Sequence, residues 1–241
     1  MARDYGLNWI DQDKLFDVTL KCFAKAAAPT TKKALPTDPF LLVAQRHYSG
    51  SNMQASVDFE KLRSANKSLS NYIGNWHQEV LGLGENWETT GSTGGGIDLK
   101  TRDGFRHPVY GVIYAEVKNR FNTIKSSDEA ELWTRLRDIK KPVPKPSTSF
   151  LFQIVPRNAA RYNKPWNPSG VAVREDVRHC DGVTAYDLVF ERENALHDLL
   201  IAFPSILTDV SDELGAANDP YRLEELNILE DALKKSFPSR I

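Results

Sequence analysis

The chain has 241 residues, 41% hydrophobic and 26% charged, enough to bury a sizeable core and ordinary for a water-soluble globular protein. Its two cysteines, Cys22 and Cys180, are too few for a disulfide framework and fit a reducing cytoplasm. A net charge of −1 gives no bulk sign of a polyanionic partner, and charges interrupt every apolar stretch, so neither a signal peptide nor a membrane span is expected.

Charge is unevenly placed along the chain. Residues 118–178 carry a local excess of +7, and residues 179–241 a local −8. A basic middle beside an acidic tail suits one anion-binding face and a solvated opposite face, with chance clustering as the alternative.

In chain order, residues 7–28 place Trp9, Ile10, Leu15, Phe16, Val18, Leu20 and Phe23 mostly at helical spacing, and Pro29 with the following TTKK ends that helix. LPTDPFLLVAQRH is Pro-punctuated and reads as irregular. A second helix is expected over 56–81, with Phe59, Leu62, Leu69, Ile73, Trp76 and Val80 as its inner stripe and Gly82 and Gly84 closing it. STGGG releases the chain into Ile97-Asp98-Leu99, DGFRHP is a turn, and VYGVIYAEVK has strand composition.

Residues 126–140 open on Ser-Ser-Asp and an acidic first turn and end in Arg and Lys, matching a helix dipole. A Pro-rich connection, KPVPKPSTS, leads to FLFQIVP, a short buried strand. RNAARYNKPWNPSG is a basic loop, and 183–190 (VTAYDLVF) reads as another strand. A helix interrupted at Pro204 and a closing helix complete a mixed α/β pattern. Trp76 and Trp133 sit on helical stripes as core residues, and Trp166 is a candidate loop anchor.

The chemistry concentrates in one place. Strand residues alternate faces, so Glu116 and Lys118 project together while Val117 points behind them. Asp98, on the preceding strand after the glycine run, can meet them. Two converging carboxylates make a hard oxygen site suited to Mg²⁺, which keeps waters and accepts a phosphate oxygen. Such an ion polarises a phosphodiester and acidifies a bound water. Lys118 would orient that water or offset charge on the phosphate. Asp98-Leu99-Lys100 and Asp138-Ile139-Lys140 are further acid-x-Lys triplets, the second discounted as a helix C-terminus. Pattern alone therefore leaves a surface ion pair open. The five histidines (His47, His77, His107, His179, His197) lack the spacing of a zinc helix, and STGGG lacks the Lys-Ser/Thr of a phosphate loop.

GGGIDLK followed by YAEVKNRFNTIKSSD resembles the PD-(D/E)xK motif of type II restriction endonucleases. Together with VREDVRHCDGVTAYDLVFERENALHDLL, it is similar to the group that cuts GGNCC-type palindromes. The resemblance covers roughly residues 70–205. It implies a restriction-endonuclease-like α/β fold, with a mixed sheet flanked by helices. It also implies Mg²⁺-dependent hydrolysis of double-stranded DNA leaving 5′-phosphates, and a homodimer matching a palindromic, GC-rich site. Asp98, Glu116 and the Val117 carbonyl correspond to metal ligands and Lys118 to the catalytic lysine; Ile97 stands where the motif's name has proline. Glu79, on an upstream helix, is a further candidate ligand, with a solvated helix acid as the alternative.

For DNA contacts the candidates are Arg120, Asn122 and Lys125 past the catalytic strand, and Arg157, Asn158, Arg161, Asn163 and Lys164 in the basic loop. One endonuclease domain is expected, with 1–55 a helical N-terminal extension, 56–205 the catalytic core and 206–241 a C-terminal helix. A non-specific repair or recombination nuclease, or a non-catalytic DNA-binding module, are the other readings.

Overall fold

The computed structural model describes residues 3–27, 38–50, 52–91, 96–142, 146–216 and 221–240. The expected helix stop at Pro29–Lys33, the Ser92–Gly95 part of the glycine run and the Val143–Lys145 part of the Pro-rich connection lie outside the described residues.

Helix α1 spans Gln12–Ala27 and starts later than the periodicity from residue 7 suggested. The Asp11 carboxylate accepts the Lys14 N–H at 3.1 Å and caps the helix there. Leu7 and Ile10 are buried without being helical. The segment read as irregular is helix α2, Pro39–Ser49. Asp38 accepts the Phe40 N–H at 2.9 Å, Pro39 takes the first helical position, and Gly50 closes the helix at φ 66°. Proline there starts a helix, because the missing N–H would have had no intrahelical partner.

Helix α3, Met53–Leu81, has the expected extent but only part of the expected inner stripe. Trp76 and Val80 are buried, whereas Phe59 is 57% and Leu62 69% exposed. At 29 residues the helix is roughly 43 Å long, and its first half runs beyond the sheet with α2 beside it.

A six-stranded mixed sheet follows, in the order β1-β2-β3-β4-β6-β5. Strands β1 (Trp87–Thr89), β2 (Leu99–Thr101) and β3 (Val112–Arg120) form an antiparallel meander. Helix α4 (Glu129–Asp138) crosses to β4 (Ser147–Val155), which pairs parallel with β3. Strand β6 (Val177–Asp181) lies parallel to β4 and carries β5 (Asn163–Pro165) antiparallel at the edge.

Residues 183–190 are not the expected strand. They belong to helix α5, Gly182–Phe190, and the strand is the preceding Val177–Asp181. Asp181 caps α5 by accepting from the Thr184 N–H at 3.0 Å and the Thr184 hydroxyl at 2.6 Å. At Gly182 a Cβ would lie 2.2 Å from the Ile154 carbonyl oxygen, so only glycine lets the chain turn against β4. The β-rich composition of α5 is overridden because Val183, Tyr186 and Val189 bury at helical spacing.

Helix α6, Ala195–Glu213, runs through Pro204 instead of breaking there. Leu199, Ala202, Ile206 and Val210 bury on both sides of the proline, which offsets the hydrogen bond it removes. Helix α7, Leu223–Ser236, is the expected closing helix; it carries acids in its first turn and lysines in its last, and buries none of its own residues. It is anchored just past its end, where the Pro238 carbonyl accepts from His197 Nε2 at 2.8 Å.

The two faces of the sheet are covered unequally. On one side Ile113, Ala115 and Val117 of β3 join the main core with side chains of α1, α3, α5 and α6. Helix α1 is thus part of that core, and α6 crosses position 205. The other face is covered by α4, through Leu132, Trp133 and Leu136 with Ile97, Leu151, Trp166 and Val177. Trp166 is buried there, its carbonyl accepting the Trp133 indole N–H at 3.0 Å. Among the described residues no helix is long and apolar enough to cross a membrane.

Candidate active site

Alternation along β3 aims Ile113, Ala115 and Val117 into the main core and leaves Tyr114, Glu116 and Lys118 on the face that α4 covers. The β2–β3 register pairs Leu99 with Ala115, which sets Asp98 beside Glu116. The Asp98 N–H donates to the Ala115 carbonyl at 3.2 Å, and Asp98 Oδ2 accepts the Val117 N–H at 2.8 Å. That second bond holds the carboxylate against β3. Upstream, Gly96 adopts φ 85°, the left-handed conformation glycine takes without strain.

The Glu116 side chain is only 6% exposed, and its Oε1 receives Lys118 Nζ at 2.6 Å and Arg135 Nη2 of α4 at 3.1 Å. A carboxylate buried this far would be costly without such partners. Burial first, then the negative charge of Glu116, pushes the Asp98 carboxyl up to about 6, against the Val117 N–H and the charges of Lys118 and Arg135. Two carboxylates crowded this way are relieved by a cation between them. Hard oxygen donors at Asp98 and Glu116, with a lysine alongside, fit a divalent ion of the Mg²⁺ kind.

Among the described residues no three His, Cys, Asp or Glu side chains gather as a metal-binding group. Glu79 accordingly does not join Asp98 and Glu116: its carboxylate pairs with Lys21 of α1 at 3.2 Å. The other acid-x-Lys triplets are engaged elsewhere. Lys100 pairs with Glu88 at 3.0 Å and with Asp103 at 3.3 Å. Lys140, expected to serve a helix dipole, is instead buried and bound to Asp176 at 2.8 Å. His77 is equally structural: its Nδ1 meets the Tyr186 hydroxyl at 2.7 Å in the core, and burial lowers its pKa to about 3.

The expected DNA-contact residues divide into two sets. Arg120 ends β3 and pairs in register with Val155 of β4, so the loops holding Asn122 and Lys125 and holding Arg157 and Asn158 leave the same end of the sheet as Lys118. All five side chains are exposed there, as is Lys164 on the edge strand. Arg161 and Asn163 are held inside the fold. Arg161 Nη1 binds Asp187 of α5 at 2.7 Å, and Asn163 accepts from Arg178 and donates to the Tyr110 hydroxyl. Arg135 was missed from sequence, since nothing local shows that α4 lays it across β3.

A groove of about 450 Å³ opens beside this cluster, lined by Glu88, Thr90, Ile97, Lys100, Tyr114 and Ile139. Comparison with known proteins gives the family of the chain as a whole. The sequence profile of the Eco47II restriction endonuclease family matches residues 7–212, so the likeness includes α1 and extends well before residue 70. The type II restriction enzyme Eco47II of Escherichia coli is 30% identical over 226 residues, 87% of this chain and 90% of that protein. With acid, acid and lysine brought together on one mixed sheet and a match of this extent, the chain belongs to the Eco47II restriction endonuclease family.

Proposed function

We propose that this chain hydrolyses phosphodiester bonds of double-stranded DNA at a short, GC-rich palindrome of the GGNCC kind, with Mg²⁺ as cofactor. The observation that carries the reading is the convergence of Asp98, at the entry to β2, and Glu116 of the adjacent β3, with Lys118 on the Glu116 carboxylate.

Asp98, Glu116 and the Val117 carbonyl would hold the ion, which when bound supplies charge to polarise the scissile phosphate and to acidify water. Lys118 emerges from a strand locked between β2 and β4, so its ammonium stays at a defined place beside Glu116. From there it orients the attacking water and offsets charge gathering on the phosphate oxygens. The water oxygen bonds to phosphorus, the bond to the 3′ oxygen breaks, and the products are a 5′-phosphate and a 3′-hydroxyl. Arg120, Lys125 and Arg157 would supply phosphate contacts at the same end of the sheet, with Asn122 beside them and Lys164 on the edge strand β5, level with Glu116.

A palindromic site is matched by two-fold protein symmetry, so the working form is a homodimer. The whole chain is read as one endonuclease domain, and its two free thiols are compatible with a reducing cytoplasm.

Incubation with plasmid DNA and Mg²⁺ tests the reading. Discrete fragments that disappear with EDTA and with Lys118→Ala support it. A smear would indicate cleavage without site specificity, and binding without cutting would refute catalysis.

A further inference from the structure

Glu116 Oε1 is shared by two cations that reach it by different routes. Lys118 is two residues along the same strand, on a short tether that keeps it at the reacting centre. Arg135 crosses from α4, and its side chain is 45% exposed. It therefore has a free direction of movement that Lys118, at 30%, has less of. Its stem passes Gly96, where an added Cβ would stand 3.2 Å from Arg135 Cδ, so the residue leading into Ile97-Asp98 has no side chain where the arginine lies.

Charge balance gives the reason for that movement. As it stands, the cluster pairs two carboxylates, Asp98 and Glu116, with two cations, Lys118 and Arg135. A divalent cation held by the carboxylates leaves an excess of positive charge, which the phosphates of bound DNA would neutralise. A guanidinium presents a planar fork matched to two phosphate oxygens, which an ammonium does not.

Resting on the nuclease reading above, we infer that Arg135 is a DNA-phosphate ligand of the active site, held on Glu116 while the site is empty and turned to a backbone phosphate when DNA and cation are bound. Arg135 therefore opposes cation uptake in the free protein and favours DNA in the loaded one. A residue that merely supported the fold would not act with opposite signs on the two.

The test compares wild type, Arg135→Ala and Arg135→Lys, with circular dichroism to establish that each is folded. Mn²⁺ uptake by the DNA-free protein is measured by calorimetry. Retention of plasmid restriction fragments in Ca²⁺ is measured by filter binding. Arg135→Ala is expected to bind Mn²⁺ about tenfold more tightly, having lost a competing charge, and DNA about tenfold more weakly. Arg135→Lys is expected to take up Mn²⁺ as wild type does while recovering only part of the DNA affinity. Unchanged or weaker Mn²⁺ binding by Arg135→Ala, or unchanged DNA binding, overturns the inference while a cutting wild type leaves the nuclease reading intact. A wild type that takes up Mn²⁺ but neither binds nor cuts DNA refutes both.

Discussion

Replacing Asp98 by asparagine should make the metal-free protein more stable while abolishing its activity. The Asp98 carboxyl is raised from 3.8 to about 6, chiefly by burial and then by Glu116. Between those values the folded state holds a proton that the unfolded chain has released. The contribution of Asp98 to wild-type stability therefore falls as pH rises from about 4 to about 6 and then levels off, with the full cost present above the folded value. A shift of about two units corresponds to about 3 kcal/mol. The amide must still be buried, although its oxygen can keep the Val117 N–H bond, so a gain of about 1–2 kcal/mol is expected at pH 8. For a chain of this size that raises Tm by about 5 °C.

The measurement is thermal unfolding followed by circular dichroism in EDTA at pH 8 and at pH 4.5. Asp98→Asn should melt higher at pH 8, the difference should shrink at pH 4.5, and added Mg²⁺ should stabilise wild type alone. A variant that melts at or below wild type at pH 8, or whose advantage does not depend on pH, would refute the account of two crowded carboxylates.

Lys118→Ala should lower single-turnover cleavage by roughly 10²–10³-fold while changing Ca²⁺-supported DNA retention only a few-fold, because its proposed work is on the reacting phosphate. Asp176→Ala should cost roughly 3 kcal/mol in urea unfolding, since Lys140 is buried and loses its carboxylate partner; Lys140→Met should cost less. The Asp176 carboxyl is raised by burial but held below its usual range overall by Arg174 and Lys140. Its stabilisation is therefore present above the ordinary aspartate pKa and lost as pH falls below it, and the Asp176→Ala deficit should narrow in acid. Arg161→Ala should lower stability by about 1–2 kcal/mol with little loss of DNA affinity, because that guanidinium is bound to Asp187. Arg157→Ala should do the reverse, and its salt dependence of binding should flatten.

The core of the site was legible from sequence because it is local. Glu116 and Lys118 share a face through strand alternation alone, and Asp98 reaches them across an antiparallel pairing formed within a short stretch of chain. The glycines before Ile97 and the apolar run before Glu116 singled out, among three acid-x-Lys triplets, the one that the strand register sets beside Asp98. Apolar periodicity located the α3 helix, the order of charges located α4, and a short apolar run located the buried β4 strand.

What failed depended on contacts distant in sequence or on reading a cap as a break. Asp38-Pro39 starts a helix where proline suggested irregular chain. The residues of α5 have strand composition, yet Asp181 caps them and the core takes their helical face. Pro204 is carried inside α6 because apolar residues on both sides are buried.

The amino-acid sequence by itself therefore determined the acid-acid-lysine cluster, whose geometry follows from strand alternation and one short-range pairing. Only the tertiary structure decided that Glu79 belongs to Lys21, that Arg161 belongs to Asp187, and that Arg135 belongs to Glu116. Long side chains reach whichever opposite charge the packing of helices on the sheet brings near, and that packing is not written in any single segment.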